Sequence, residues 1–194
     1  MTIAFVLGNG VSRQLVNLNE LKTHGRIYGC NALYRDFTPD VLVSTDKPIS
    51  ETIQNTGYAV QNKMYTRNPI SGLGAERIPQ PYFGFSSGPI ALALAADADH
   101  SVIYVIGFDM GPSANGRFNN VYADTEFYRK SSATPTYTGN WTRQMAGVMK
   151  EHRRKNFIRI SGPTTAPVQE FNKIPNLTHM PVAEFLQRVR DAQL

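Results

Sequence analysis

Two apolar runs constrain this chain most: Ile3–Leu7 and Val102–Ile106. A strand with one wet face alternates apolar and polar residues. These two runs do not alternate, so both of their faces have to be covered. Both end in glycine-bearing polar turns, Gly8-Asn9-Gly10 and Gly107-Phe108-Asp109. Helical patterns lie between the strand patterns throughout. The expectation is an α/β fold: one Rossmann-like, doubly wound, mostly parallel sheet with helices on both faces. At 194 residues, the whole chain, 1–194, forms one domain.

Taken in order, Ser12 is placed to cap a helix carrying Leu15, Leu18 and Leu21, which Gly25 stops. Arg26–Cys30 is a second strand ending at Asn31. Asp40–Val43, after Pro39, is a third, ending at Ser44-Thr45-Asp46. Pro48 suits the first turn of a helix reaching Asn55, closed by Gly57. Tyr58–Tyr65 is expected as a fourth strand, and 67–84, rich in Gly, Pro and Asn, as a loop. Ser86-Ser87-Gly88-Pro89 followed by an Ala/Leu run is the clearest helix start in the chain. Residues 110–139 are polar and aromatic without a period, the pattern of a lid or active-site insertion. Asn140 is expected to cap a helix whose stripe includes Trp141, Met145, Val148, Met149 and His152. Phe157–Ile160 and Leu177–His179 are further strands, with a short helix near Val168 between them. Pro181 opens a last helix with Val182, Phe185, Leu186 and Val189 inward.

Charge is unevenly spread. Residues 1–126 hold 9 Lys/Arg against 11 Asp/Glu, whereas 127–194 hold 11 against 4, within a net charge of +5. A basic C-terminal part suits either an anionic partner or a solvated face. The lone cysteine, Cys30, excludes an intramolecular disulfide and any cysteine cluster. It points to a reducing, cytoplasmic setting. No secretory leader and no transmembrane segment is expected.

In parallel α/β sheets, ligands bind where the carboxyl ends of the strands meet. The residues expected there are Gly8, Asn9, Gly10, Ser12, Asn31, Asp46, Gly107, Phe108 and Asp109, with Ser86, Ser87 and Gly88 at a helix start. Glycines, amides and hydroxyls dominate this set, which suits a nucleotide with its phosphate at a helix N-terminus or in the glycine turn. Neither a Walker loop nor a complete GxGxxG pattern is present. Asp46 and Asp109 are candidates for general base, ribose ligand or metal ligand, beside the commoner role of loop cap. Tyr122, Tyr128 and Tyr137 lie in the insertion, where a tyrosine can stack on a base or assist a leaving phosphate. His179 is expected near the cleft, and Cys30 as a packed thiol. Arg153-Arg154-Lys155 ends a helix, where cations are favourable in any case.

Gly8-Asn9-Gly10-Val11-Ser12, Cys30-Asn31-Ala32-Leu33-Tyr34, Ser86-Ser87-Gly88 and Ile103-Tyr104-Val105-Ile106-Gly107-Phe108-Asp109 together resemble, in order and approximate spacing, the bacterial sialyltransferases of the Campylobacter type. The Gly-x-Gly-x-Ser turn, the stretch from Pro39-Asp40 to Asp46 and the Gly-x-Asp strand end are also similar to the archaeal-type 6-hydroxymethylpterin diphosphokinases. The first resemblance implies a single Rossmann-like domain using CMP-sialic acid without a metal. Asn9, Ser12, Asn31, Ser86, Ser87, Gly107 and Asp109 would contact the nucleotide, and Tyr122 would help the phosphate leave. The family's catalytic histidine stands in a Gly-His pair, which here is Gly139-Asn140. Its arginine before the Ser-Gly helix start is replaced by Phe83-Gly84-Phe85. The nucleotide-binding frame then goes with another donor, with another base such as Asp46, Asp109 or His179, or with no catalysis.

The leading expectation is a nucleotide-binding, glycosyltransferase-like enzyme that moves a sugar from a CMP-type donor, with no tightly bound cofactor. One alternative is a pyrophosphokinase-like enzyme using ATP and magnesium. Another is a non-catalytic nucleotide- or nucleic-acid-binding protein. Donor, acceptor and oligomeric state are not legible in the residues.

Overall fold

The computed structural model describes residues 2–194. Eight strands form one sheet: β1 (Ile3–Leu7), β2 (Arg26–Cys30), β3 (Val41–Val43), β4 (Met64–Thr66), β5 (Glu76–Arg77), β6 (Val102–Ile106), β7 (Asn156–Ser161) and β8 (Leu177–Pro181). Their order is β5-β4-β3-β2-β1-β6-β7-β8. Every neighbouring pair is parallel. The helices are α1 (Leu18–Leu21), α2 (Lys47–Asn55), α3 (Tyr58–Gln61), α4 (Ser87–Asp97), α5 (Gly139–Glu151) and α6 (Val182–Arg190).

The two central strands are buried on both faces, as their composition requires. Ala4, Val6, Ile103 and Val105 face one core with α4 and α5. Phe5, Leu7, Tyr104 and Ile106 face the other, with Leu21, Ile49, Ile53 and Phe185 from α1, α2 and α6. The alanines of α4 let its backbone lie close to the sheet, and Ala91, Ala93 and Ala95 are fully buried. On the opposite face Phe185 packs against Tyr104, with ring centroids 5.3 Å apart. No helix among the described residues is long and apolar enough to cross a membrane.

Local structure departs from the sequence reading in four places. Val11–Leu15 is a 3-10 turn and only Leu18–Leu21 is α-helical, so Leu15 is left 47% exposed. Asn17, rather than Ser12, caps the helix by accepting from the Asn19 N–H at 3.1 Å. Tyr58–Tyr65 is not one strand. Gly57, at φ 82°, turns the chain into the short α3, and β4 starts only at Met64. The 67–84 loop carries the edge strand β5 and a 3-10 turn, Gln80–Tyr82. Thr138 occupies the cap position of α5, and Asn140 lies exposed inside its first turn.

Candidate functional site

The chain leaves β1 on one side through β2, β3, β4 and β5, then returns to place β6 on the other. The β1/β6 boundary is therefore the topological switch point, where the connecting segments diverge and leave a crevice. A cleft of about 210 Å³ opens there. Gly8, Asn9, Gly10, Asn31, Asp46, Ser86, Ser87, Gly88, Gly107, Phe108 and Asp109 line it. Thr45, Met110, Asn119, Asn120, Thr136, Thr138 and Trp141 complete much of the wall. No Lys, Arg or His lines this cleft. The insertion at 110–139 is irregular and supplies one side of it.

The glycine turn is not a free phosphate cradle. The Gly8 and Gly10 amides donate to the Ile106 and Gly107 carbonyls, each at 2.8 Å. The Val11 amide donates to Asn119 Oδ1 at 2.9 Å, and the Ser12 amide to Asp109 Oδ2 at 3.2 Å. These glycines exist for close approach. A Cβ on Gly8 would stand 2.5 Å from the Gly107 oxygen, and one on Gly10 would stand 2.6 Å from the Asp109 carboxyl carbon. Gly107 itself has φ 77°, and a Cβ there would meet the Gly8 oxygen at 2.6 Å. The turns after β1 and β6 thus interlock.

Asp109 fastens that interlock. Its carboxylate is buried and accepts from the Ser12 hydroxyl, Asn119 Nδ2, Thr164 Oγ1 and Thr165 Oγ1, besides the Ser12 amide. Few lone pairs remain for a substrate proton, and the residue serves as an anchor. Asn9 is engaged at both ends, with Nδ2 donating to the Cys30 carbonyl at 3.1 Å and Oδ1 accepting from Arg13 Nη1 at 3.2 Å. Ser12 and Tyr122 lie outside the cleft lining. The Tyr122 hydroxyl donates to Asp36 Oδ2 at 2.7 Å and accepts from Arg13 Nη2 at 3.2 Å. Burial, and then the Asp36 hydrogen bond, push its pKa up to about 12.

Other groups stay available. Asn31 sits at φ 52°, and its Oδ1 accepts from the hydroxyls of Ser44 and Ser87, both at 3.2 Å. Those bonds orient the amide, and its Nδ2 makes no bond among the described residues. The Ser87 hydroxyl also accepts from the Thr45 amide at 3.0 Å, joining the ends of β2 and β3 to the start of α4. The Ser87 and Gly88 amides, in the first turn of α4, have no acceptor among the described residues, and Pro89 has no N–H to donate. Gly88 is required because a Cβ would lie 2.9 Å from the Phe108 ring. Gln144 Oε1 accepts from the Ser86 amide at 2.9 Å, holding α5 beside α4. Both helices begin at this cleft, and α2 begins directly after Asp46, so three positive dipole ends meet there. Asp46 is exposed at the rim, and its side chain neither caps α2 nor pairs with a cation.

His179 is not at the cleft. It lines a separate cavity with Arg159, its register partner across β7 and β8. His152 bridges the Val148 carbonyl and Asp97 at 2.7 and 2.8 Å, a packing role. Burial pushes the Cys30 thiol up to about 12, which makes it an unreactive packed group. Tyr128 packs on Tyr122 at 5.7 Å, whereas Tyr137 is 77% exposed. Lys155 of the basic run donates to the Ala98 carbonyl at 2.6 Å. Two buried cations, Arg13 and Arg159, had no sequence signal, because arginine is ordinarily a surface residue. No family model, no curated protein and no solved structure matches the chain.

Proposed function

We propose that the protein is a nucleotide-binding, glycosyltransferase-like enzyme that uses a sugar donor activated by a nucleotide, of CMP type. The observation that carries this reading is the first turn of α4. Ser87 and Gly88, whose amides have no acceptor among the described residues, line the switch-point cleft beside an Asn31 amide held in one orientation. Backbone dipoles there favour a phosphate without any cationic side chain. Asn31 Nδ2 supplies a directional donor to the nucleotide, and Phe108 and Trp141 supply apolar surface.

Asp46 is the general base in this reading, since it is the cleft carboxylate left free of internal donors. It takes the proton of an acceptor hydroxyl, whose oxygen bonds to the anomeric carbon. The bond from that carbon to the phosphate oxygen breaks, and the nucleotide monophosphate leaves with the electron pair. The helix amides hold the phosphate charge as it develops. Asp109 keeps the two strand-end turns in place. The resemblance to the Campylobacter-type sialyltransferases supports the nucleotide class, with Asp46 standing in for the histidine that Asn140 replaces. A cytoplasmic setting accompanies this reading, in keeping with the buried thiol of Cys30.

The test is a melting-temperature screen with CMP, CDP, UDP, GDP and ATP and their sugars, with and without magnesium. A ligand at a hundred times its Kd adds about 2.7 kcal/mol to stability. CMP or a CMP-sugar is expected to raise Tm without magnesium, and Asn31→Ala is expected to remove the rise. Asp46→Asn is expected to keep CMP binding and lose donor hydrolysis. Stabilisation by ATP with magnesium alone would favour pyrophosphate transfer. Salt-sensitive binding of DNA or RNA without any mononucleotide effect would favour a nucleic-acid binder.

A further inference from the structure

Arg159 is 2% exposed, yet it forms no direct ion pair among the described residues, the nearest acidic influence being the Asp109 charge. Nη1 donates to the Ala166 carbonyl at 2.8 Å, and Nη2 to the Phe108 carbonyl at 2.8 Å and the Asp109 carbonyl at 3.4 Å. Nε, itself buried, donates to nothing among the described residues. Burial lowers the guanidinium pKa to about 10, which leaves it cationic at neutral pH. The face of the Phe171 ring, 5.3 Å from the guanidinium carbon, and the more distant Asp109 charge add to these carbonyls. A buried charge without a direct ion pair is still costly, and in folded proteins such a charge is normally paired.

A cavity of about 260 Å³ lies against this residue. Ser161, Thr165, Asn172 and His179 contribute to its wall, and no Asp or Glu does. Arg159 and His179 are register partners, so they share one face of the sheet at the carboxyl ends of β7 and β8. Phe157 and Leu177, the pair before them, belong to the core below. Polar groups therefore replace apolar ones where the sheet opens. Burial, and then the Arg159 charge, hold His179 below the ordinary imidazole value, so its ring is neutral at pH 7 and has an N–H to donate.

We infer that this corner is a second ligand site, which takes a small oxyanion, a carboxylate or phosphate group, against Arg159, His179 and Asn172. It stands independently of the nucleotide reading, because none of these three residues lines the first cleft. The two sites share a wall: Arg159 holds the Phe108 and Asp109 carbonyls, and Thr165 reaches the Asp109 carboxylate at 3.4 Å.

The test is a titration of the full-length protein at pH 7 and constant ionic strength, with inorganic phosphate in one arm and acetate in the other. Histidine-ring and Trp141-indole NMR signals are followed, and the His179 signal is assigned by its loss in His179→Gln. The expected result is a saturable shift of the His179 signal at millimolar anion, with Trp141 unmoved. Phosphate alone producing the shift identifies a phosphate-bearing ligand, acetate alone a carboxylate ligand, and both the shared oxyanion chemistry. Asn172→Asp changes an exposed residue and places a like charge in the wall, so affinity is expected to fall by about tenfold or more with the fold intact. A His179 signal that does not saturate, Asn172→Asp binding as tightly as wild type, or Trp141 following the same isotherm would each overturn the assignment.

Discussion

Ser12 and Asp109, 97 residues apart in the chain, are joined twice: the Asp109 carboxylate accepts from both the Ser12 hydroxyl and, at 3.2 Å, its backbone N–H. The pair helps to hold together the turns that follow β1 and β6, whose glycines line the switch-point cleft. A hydrogen bond to a buried charge contributes more than a neutral one, and a donor left unpaired there costs its full desolvation.

Asp109→Asn is therefore expected to lower stability by about 2–3 kcal/mol, and Ser12→Ala by about 1–2 kcal/mol. Urea titration of both variants and the double variant checks this. The two losses are expected not to add, because the residues share one interaction. Additive losses would mean that the clasp does not act as a unit.

Gly10 and Gly147 make opposite predictions from the same substitution. A Cβ on Gly10 would lie 2.6 Å from the Asp109 carboxyl carbon, whereas one on Gly147 meets nothing within 4 Å. Gly10→Ala is expected to destabilise by about 1–3 kcal/mol through overpacking. Gly147→Ala, inside α5, is expected to stabilise by about 0.5–1 kcal/mol, because alanine loses less backbone entropy in a helix. Thermal melts of the two variants should move in opposite directions.

Tyr122 is wedged between two arginines, with Arg13 and Arg35 lying 5.4 and 5.7 Å from its ring centroid. Its hydroxyl bonds Asp36 and Arg13 and is absent from the cleft lining. Tyr122→Phe is expected to cost about 1–2 kcal/mol of stability while leaving CMP affinity unchanged. Parallel denaturation and CMP titrations separate the two effects. Loss of binding with stability intact would return Tyr122 to the site.

Acid sensitivity follows from His100 and His179. His100 sits against Tyr28, with Nε2 3.0 Å from the Tyr28 oxygen. Burial, then Arg26 and Lys155, lower its pKa from 6.5. In the unfolded chain the imidazole takes up a proton near pH 6.5, while in the folded state it resists. The histidine contribution to stability is then fully present above that pH and is lost as pH falls below it. Denaturation between pH 7.5 and pH 5, ordinary bounds of histidine titration, should show a decline that is shallower in His100→Gln. Equal slopes would remove His100 from the explanation.

Much of the frame was legible because its signals are local. Strands β1 and β6 announced themselves by apolar residues on both faces. The start of α4 is set by Ser86, Ser87 and Pro89, and α2 by Pro48 and Gly57. The stretch 58–65 misled because Tyr58, Val60 and Tyr65 have high strand propensity, yet Gly57 at positive φ redirects the chain and Tyr58 packs edge-on against Tyr34, with centroids 5.8 Å apart. Ser12 misled in another way. Its hydroxyl suits a helix cap, and a carboxylate from a distant turn claims it instead.

By itself, the sequence determined the sheet, its two covered faces and the strand ends from which a ligand cleft is built. Hydrophobic period, proline and glycine placement act over a few residues and can be read in order. Only the tertiary structure decided which polar groups at those ends remain free. Asn9, Ser12 and Asp109 are taken up by partners from elsewhere in the chain, while Asn31 Nδ2, the first amides of α4 and Asp46 are not. Hydrogen-bond satisfaction belongs to a neighbourhood assembled from distant segments, and no local pattern encodes it. The burial of Arg159 is of the same kind: the Ala166, Phe108 and Asp109 carbonyls and the Phe171 ring close around it only in the folded chain.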